Sequence, residues 1–438
     1  MPCIAPIADA IGKLTGGDAD ERILEACFET FRKTFERVSE SLTAGLRTKR
    51  TIGIRSVWIG TVGGFAKARY PYAPGEVTGR DAVKCFGGEE QSGTVRTKDG
   101  KGVRGLPKAT RAARLLVAET AVRSASFEEA AETLRERGLD IGRSMVRLIA
   151  LEAARRTQAA VRKDRPERRR PWRRWKPPYW AKRVTRTLVV MVDGKAFPCA
   201  KADLAGRKGR NGGSAKSRNA NVICCGWFEW VDRKGRPIFA PHSIRYEVTG
   251  EGGAALGRTV WRVAVQEGVL DAKRVQFVSD GEEELEHVYQ EHFKALPNCV
   301  RVLDAMHACG YVDTVAKALE PDGGKAARIS RRLRRRLVKA GWKGCLSSLE
   351  RIFGKDASSR LCGDARKAWN YLEKRSGMMD YGSYARRRLV IGSGMVEVGC
   401  KLTIGGRLAG PGMHWRFRNG VGIAELRAVM RSGLIIAV

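Results

Sequence analysis

Three acids carry the chemistry this chain could do. Asp193 closes an apolar run as Val192-Asp193-Gly194, and Asp280 closes another as Ser279-Asp280-Gly281. Glu397 stands in Gly392-Ser393-Gly394-Met395-Val396-Glu397, at the predicted start of a helix. The separations are 87 residues from Asp193 to Asp280 and 117 from Asp280 to Glu397. Three convergent carboxylates supply the hard oxygen donors that two Mg²⁺ (or Mn²⁺) ions need. Two ions about 4 Å apart can activate an attacking oxygen and stabilise a leaving one in an in-line phosphoryl transfer. Singly, each acid has a plainer role, since Asp-Gly pairs are ordinary turn chemistry and a Glu early in a helix is a cap. Only the set points to metal chemistry. Asp304 also ends an apolar run and could serve in place of Asp280. His307, three residues on, could orient a phosphate or an acid, although a lone His after a strand is commonly structural.

The elements that must position these acids follow from hydrophobic periodicity. Strands are predicted at 187–193, 221–231 and 237–248, the last two joined by the turn Asp232-Arg233-Lys234-Gly235-Arg236. A helix near 254–268, a strand at 274–280, a helix at 282–296, a strand at 299–304 and a helix near 308–319 come next. The order β-β-β-α-β-α-β-α is that of an α/β, RNase H-like core with a mixed five-stranded sheet. In such a core the first and fourth strands are neighbours, so Asp193 and Asp280 meet at one edge. A late helix packing on the sheet could bring Glu397 to them. Asp280 is preferred to Asp304 as the second acid because it falls on that fourth strand.

Within a helical insertion at about 313–380, residues 325–343 hold nine Lys and Arg and no acid. Ile329, Leu333 and Leu337 recur every fourth residue, which predicts a basic amphipathic helix. Its charges repel one another unless a polyanion faces them, so Arg334, Arg335 and Arg336 are candidate contacts to such a partner.

Residues 1–107 read as a helix at 21–43, a β-rich patch at 51–72 and a Gly/Lys/Arg-rich loop at 86–107. Residues 108–160 are predicted helical. There Ser126-Phe127-Glu128-Glu129 resembles a capping box, Gly138 supplies a stop, and a second helix starts at about Arg143. Helix, short turn and basic helix are compatible with helix-turn-helix DNA binding, as they are with any αα-hairpin. Residues 161–183 form a boundary, with eleven Lys and Arg against Asp164 and Glu167 and with interleaved Trp and Pro. In that linker Arg173, Arg174 and Trp175 are candidate nucleic-acid contacts, the cations for phosphates and the ring for stacking. Residues 184–438 make the expected RNase H-like domain that bears the three acids.

The 438 residues carry 82 Lys plus Arg against 47 Asp plus Glu, a formal charge of +35. Such an excess calls for a polyanionic partner. A membrane is the poorer candidate, because no run approaches the roughly 20 apolar residues of a spanning helix and no signal peptide is evident. Eleven scattered Cys without a C-x-x-C pair read as reduced, cytosolic thiols rather than a disulfide framework or a zinc site.

Val192-Asp193-Gly194, Ser279-Asp280-Gly281, Leu303-Asp304-Ala305-Met306-His307-Ala308 and Ile391 to Glu397 together resemble bacterial insertion-sequence DDE transposases. The tail Arg407-Leu408, Gly412-Met413-His414-Trp415 and Leu426-Arg427-Ala428 extends the likeness. The nearest group is the Kra type, distantly related to the Mutator lineage, and the likeness covers about 187–433. It implies Asp193, Asp280 and Glu397 as the metal-binding triad, a helical insertion between Asp280 and Glu397, and a supporting His307 in an Asp-x-x-His signature. It also implies double-stranded DNA ends and target as substrates, homo-oligomeric assembly on DNA, and a bacterial, nucleoid-associated location. Relatives carry a Cys-rich metal knuckle. Here Tyr70-Pro71-Tyr72 is followed only by Cys85, so no zinc is carried over. Arg416-Phe417-Arg418 is more basic than the pattern, which suggests an added phosphate contact.

Overall fold

Leu188, Val189, Val190, Met191 and Val192 are all buried, so both faces of their strand are covered. In the computed structural model the described residues are 111–137, 139, 141–163, 176–209, 212–240 and 243–438, with the backbone of 53–61 and 64–72. The helix predicted at 21–43, the loop at 86–107 and the candidate contacts Arg173, Arg174 and Trp175 lie outside the described residues. The chain divides into two units, Met1–Thr157 with Ile436–Val438, and Gln158–Ile435.

In the first unit β1 (Gly53–Thr61) pairs antiparallel with β2 (Gly64–Tyr72), the hairpin that alternation at 51–72 predicts. Helices α1 (Arg111–Arg123), α2 (Phe127–Glu136) and α3 (Arg143–Lys163) follow. The capping box forms at α2. The Ser126 hydroxyl accepts from the Glu129 N–H at 2.9 Å, and the Glu129 carboxylate accepts from the Ala125 N–H at 2.8 Å.

The second unit is an α/β core around a mixed, open six-stranded sheet. Its strands are β3 (Lys182–Pro198), β4 (Ser217–Val231), β5 (Pro237–Phe239), β6 (Arg245–Thr249), β7 (Arg274–Ser279) and β8 (Cys299–Leu303). They run in the order β5-β4-β3-β7-β8, with β6 also paired to β4. The β3, β4, β5 and β6 pairings are antiparallel, whereas β7 and β8 run parallel to β3. Five strands are expected and six are found. The predicted strand at 237–248 is two short ones, β5 against Phe228–Val231 and β6 against Asn221–Cys225. Pro241, which has no N–H for a ladder, falls between them in sequence. The predicted start of β3 is corrected from 187 to Lys182, and its end from Asp193 to Pro198.

One sheet face, with Leu188, Val190, Val192, Ile223 and Cys225, packs on α4 (Gly253–Gln266) and α5 (Glu283–Val288) through Leu256, Val260, Leu285 and Val288. Cys224 points to the other face, as alternation along a strand requires. The insertion supplies α6 (Ala305–Leu319), α7 (Gly323–Phe353), α8 (Gly363–Lys374) and α9 (Tyr381–Arg386). The basic helix is longer than predicted and kinks at Gly341, where φ is 69°. Last come α10 (Gly394–Cys400) and α11 (Phe417–Arg431). No helix among the described residues is long and apolar enough to cross a membrane.

Helix α10 reaches the sheet because Gly399 has no side chain. A Cβ there would sit 2.8 Å from Tyr246 Cδ1 and 3.1 Å from Cys224 Sγ. Gly399→Val is expected to lower stability by about 1–3 kcal/mol, read as a lower midpoint in chemical denaturation.

Candidate active site

Hydrogen-bond register aligns three aspartates. Strand β3 pairs with β7 from Thr187↔Arg274 to Met191↔Val278, an offset of 87 residues. Strand β7 pairs with β8 from Val275↔Cys299 to Ser279↔Leu303, an offset of 24. Carried on by one or two residues, the same offsets set Asp193, Asp280 and Asp304 at one level on three neighbouring parallel strands. Such strands lie about 4.8 Å apart. Asp193 stands where β3, still paired to Val222 of β4, outruns β7.

Asp193 is half-buried. Burial pushes its carboxyl above the ordinary range, and the Asp280 charge pushes the same way. The Cys400 thiol, 3.6 Å from Asp193 Oδ2, opposes that rise in part. Asp280 Oδ1 accepts from the Glu282 N–H at 3.0 Å. The turn beyond it is braced by α8. The Tyr371 hydroxyl donates to the Asp280 carbonyl, and Arg375 Nε donates to the Gly281 carbonyl at 2.9 Å. Gly281 is required twice, by its φ of +81° and because a Cβ would lie 2.6 Å from Arg375 Nε. Glu282 joins the acidic group; burial, then the charges of Asp280 and Asp193, raise its carboxyl.

Asp304 is wholly buried. It caps α6 by accepting from the Met306 N–H at 2.6 Å. It also accepts from the Ser393 hydroxyl and from the Ser393 N–H at 3.4 Å, and its Oδ2 lies 3.5 Å from His307 Nδ1. Burial alone would raise this carboxyl, but the bonds from His307, Ser393 and Met306 outweigh it and the net shift is downward. The bond to Asp304 raises His307 above its ordinary value against the opposing effect of burial, and the charges of Asp304, Asp280 and Asp193 add to the rise.

Glu397 is tied to the same cluster. Its Oε1 is 2.7 Å from the Ser393 hydroxyl, which also reaches Asp304. That hydroxyl has one proton for two carboxylates. Three residues along α10, on the same helix face, Cys400 meets Asp193. Thus α10 touches two of the three strand ends, through Ser393 and Cys400. Among the described residues, no three His, Cys, Asp or Glu side chains are gathered closely enough to form a ready-made metal cluster.

Of the predicted site residues, Asp193, Asp280 and His307 act on one another electrostatically, whereas Glu397 is linked through Ser393 to Asp304. Asp280 is the strand neighbour of Asp193, whereas Asp304 is occupied by the bonds that hold α6, His307 and Ser393. Arg334 is paired with Asp313 at 3.1 Å, so only Arg335 and Arg336 of that trio line an open groove. Arg416 is paired with Asp203 at 3.3 Å, and Phe417 stacks on Phe197. These bonds anchor Arg416 and Phe417 in the fold, while Arg418 is exposed. Sequence reasoning missed Glu282, Tyr371, Arg375 and the link made by Ser393. Glu282 was discoverable, being two residues from Asp280; nothing in the sequence ties Tyr371 to a turn 91 residues away.

In comparisons with known proteins, no family model matches this chain and no curated protein matches it.

Because His307 titrates higher in the folded chain, its charge stabilises the fold fully below its ordinary value of 6.5. That contribution is lost as pH rises through the raised value. In metal-free protein, Asp304→Asn is expected to lower the His307 titration midpoint, followed by the imidazole proton resonances in NMR.

Proposed function

We propose that this chain is a DDE transposase of the insertion-sequence type, cutting and joining DNA strands with divalent metal. The observation that carries this reading is the shared level of Asp193 and Asp280 on adjacent parallel strands, with Glu397 of α10 linked through Ser393 to Asp304 at the next strand end. The sheet, antiparallel at first and then parallel through helices, is compatible with an RNase H-like core. The donor set fits hard cations. Carboxylate oxygens suit Mg²⁺ or Mn²⁺, and two neighbouring carboxylates, one of them half-buried, repel each other until a cation stands between them.

In this reading Asp193, Asp280 and Glu397 hold two ions. When bound, the ions supply Lewis-acid activation of the attacking oxygen and charge neutralisation at the leaving one. The chain's own residues do the rest. Strands β3 and β7 fix the first two carboxylates on a hydrogen-bonded frame. Ser393 sets where Glu397 stands. His307, held by Asp304, keeps its other ring nitrogen available to donate to a phosphate oxygen. Water attacks the phosphorus at the element's end and the P–O3′ bond breaks, freeing a 3′-hydroxyl; that hydroxyl then attacks a target phosphodiester, whose own 3′-oxygen leaves. The excess of cations holds the duplex, and two copies on paired ends make the joining reaction possible.

The test is Mg²⁺-dependent nicking and joining of duplex DNA carrying the element's ends. Asp193→Asn is expected to reduce nicking by at least about 100-fold, beyond the loss from disturbing a metal ligand's support, with an unchanged melting temperature. Equal nicking by both proteins would sink the proposal. Nicked but never joined product from the wild type would leave a nuclease in its place.

A further inference from the structure

Helix α7 presents its cations in an ordered way. Ala326, Ser330, Leu333 and Leu337 form its buried face. Arg328, Arg331, Arg332, Arg335, Arg336 and Lys339 are exposed and fall at helical positions 0, 3, 4, 7, 8 and 11, which is a single stripe. At 1.5 Å per residue the stripe is about 16 Å long. Beyond the Gly341 kink the helix turns, and Ser348 and Arg351 close a groove of about 610 Å³ with the stripe. Arg336 leans across the kink, its Nε 3.5 Å from where Gly344 would carry a Cβ. None of the groove's lining residues is acidic. Arg334 lies off the stripe, paired with Asp313.

We propose that this groove is a second DNA site, which grips the phosphate backbone of one strand of a duplex independently of sequence. The choice of DNA as ligand rests on the function proposed above. Along one strand a phosphate recurs every 3.4 Å of axis, and farther apart along the winding strand itself, so about 16 Å reaches at most about five phosphates, no more than the six cations of the stripe. Guanidinium forks match phosphate oxygens in pairs. No aromatic ring lines the groove, and gripping a single strand depends on stacking its bases, so a duplex backbone is the better fit. A membrane surface is the poorer one, because the apolar face that would enter lipid is already buried in protein.

The experiment measures binding of the full chain, in EDTA, to a duplex of about 30 base pairs of arbitrary sequence across a KCl series. The slope of log K against log[KCl] counts the phosphates neutralised, at about 0.9 per contact. R331Q/R332Q/R335Q/R336Q is expected to flatten the slope by about 3–4, and R334Q by less than about 1. The quadruple variant removes like-charge repulsion, so its melting temperature should equal or exceed the wild-type value. Should it fail to fold, R332Q and R335Q singly are each expected to lower the slope by about 1. An unchanged slope in the stripe variants overturns the site. So does a stripe-dependent affinity for phosphatidylserine vesicles or for single-stranded DNA that exceeds the affinity for duplex. With EDTA present the outcome is independent of catalysis, so an active Asp193→Asn would defeat the catalytic reading and leave this one standing.

Discussion

The register of three parallel strands is the constraint on which the site depends. A ladder has no freedom to slide by one residue, since a slip would turn every side chain to the opposite face of the sheet. Here every second residue of β3 and β7, Leu188, Val190, Val275 and Phe277, packs on α4 and α5, and a slip would exchange them for residues shaped for the other face. The offsets of 87 and 24 residues are therefore set by burial of Leu188, Val190, Val275 and Phe277. The alignment of Asp193, Asp280 and Asp304 follows from those offsets. Core packing, in this sense, decides how near the acids stand.

Asp304 is the joint that turns aligned strand ends into a site. A wholly buried carboxylate is costly unless its oxygens are bonded, and the bonds it accepts tie together two elements, α6 and the start of α10. The Met306 N–H starts α6, the Ser393 hydroxyl fixes the start of α10, and the His307 ring is turned toward the acids. Ser393 passes the constraint on to Glu397. Gly399 then lets α10 lie close enough to the sheet for Cys400 to reach Asp193. The Gly-Ser-Gly-Met-Val-Glu block is thus a helix entry built around one hydroxyl, and the acid it ends on is positioned by its neighbours.

Elsewhere in the second unit, acids are used inside the fold. Glu247 and Glu267 pair with the buried Arg245, and Glu247 also with Arg262. Glu286 is held to about 2 by its bonds from Arg301. Glu425, pushed up to about 8 first by burial, accepts from the Val248 N–H at 2.5 Å and docks α11 on β6. These acids do little to screen the cationic surface, so the +35 excess is left to act outward. On α7 it becomes a linear array, because one face of the helix is committed to the core.

Much of this was legible in the chain. Continuous apolar runs announced the strands, the β-β-β-α-β-α-β-α order announced a mixed sheet, and acids closing those runs announced a candidate site. The capping box at Ser126 and the recurrence of Leu333 and Leu337 are local patterns that local hydrogen bonding and packing bear out, whereas Ile329, the third residue of that recurrence, is only partly buried. The split of 237–248 into two strands was not legible, since a short apolar stretch does not say which part of a long partner it will pair with. Nor were the different surroundings of Asp280 and Asp304, because both end apolar runs. Only the tertiary structure shows Asp304 buried among donors that come from residues two, three and 89 positions away. Sequence alone determined which groups could do chemistry and the period of the elements that bear them. Which group is left with free oxygens depends on partners brought together by packing, and packing is a property of the whole chain.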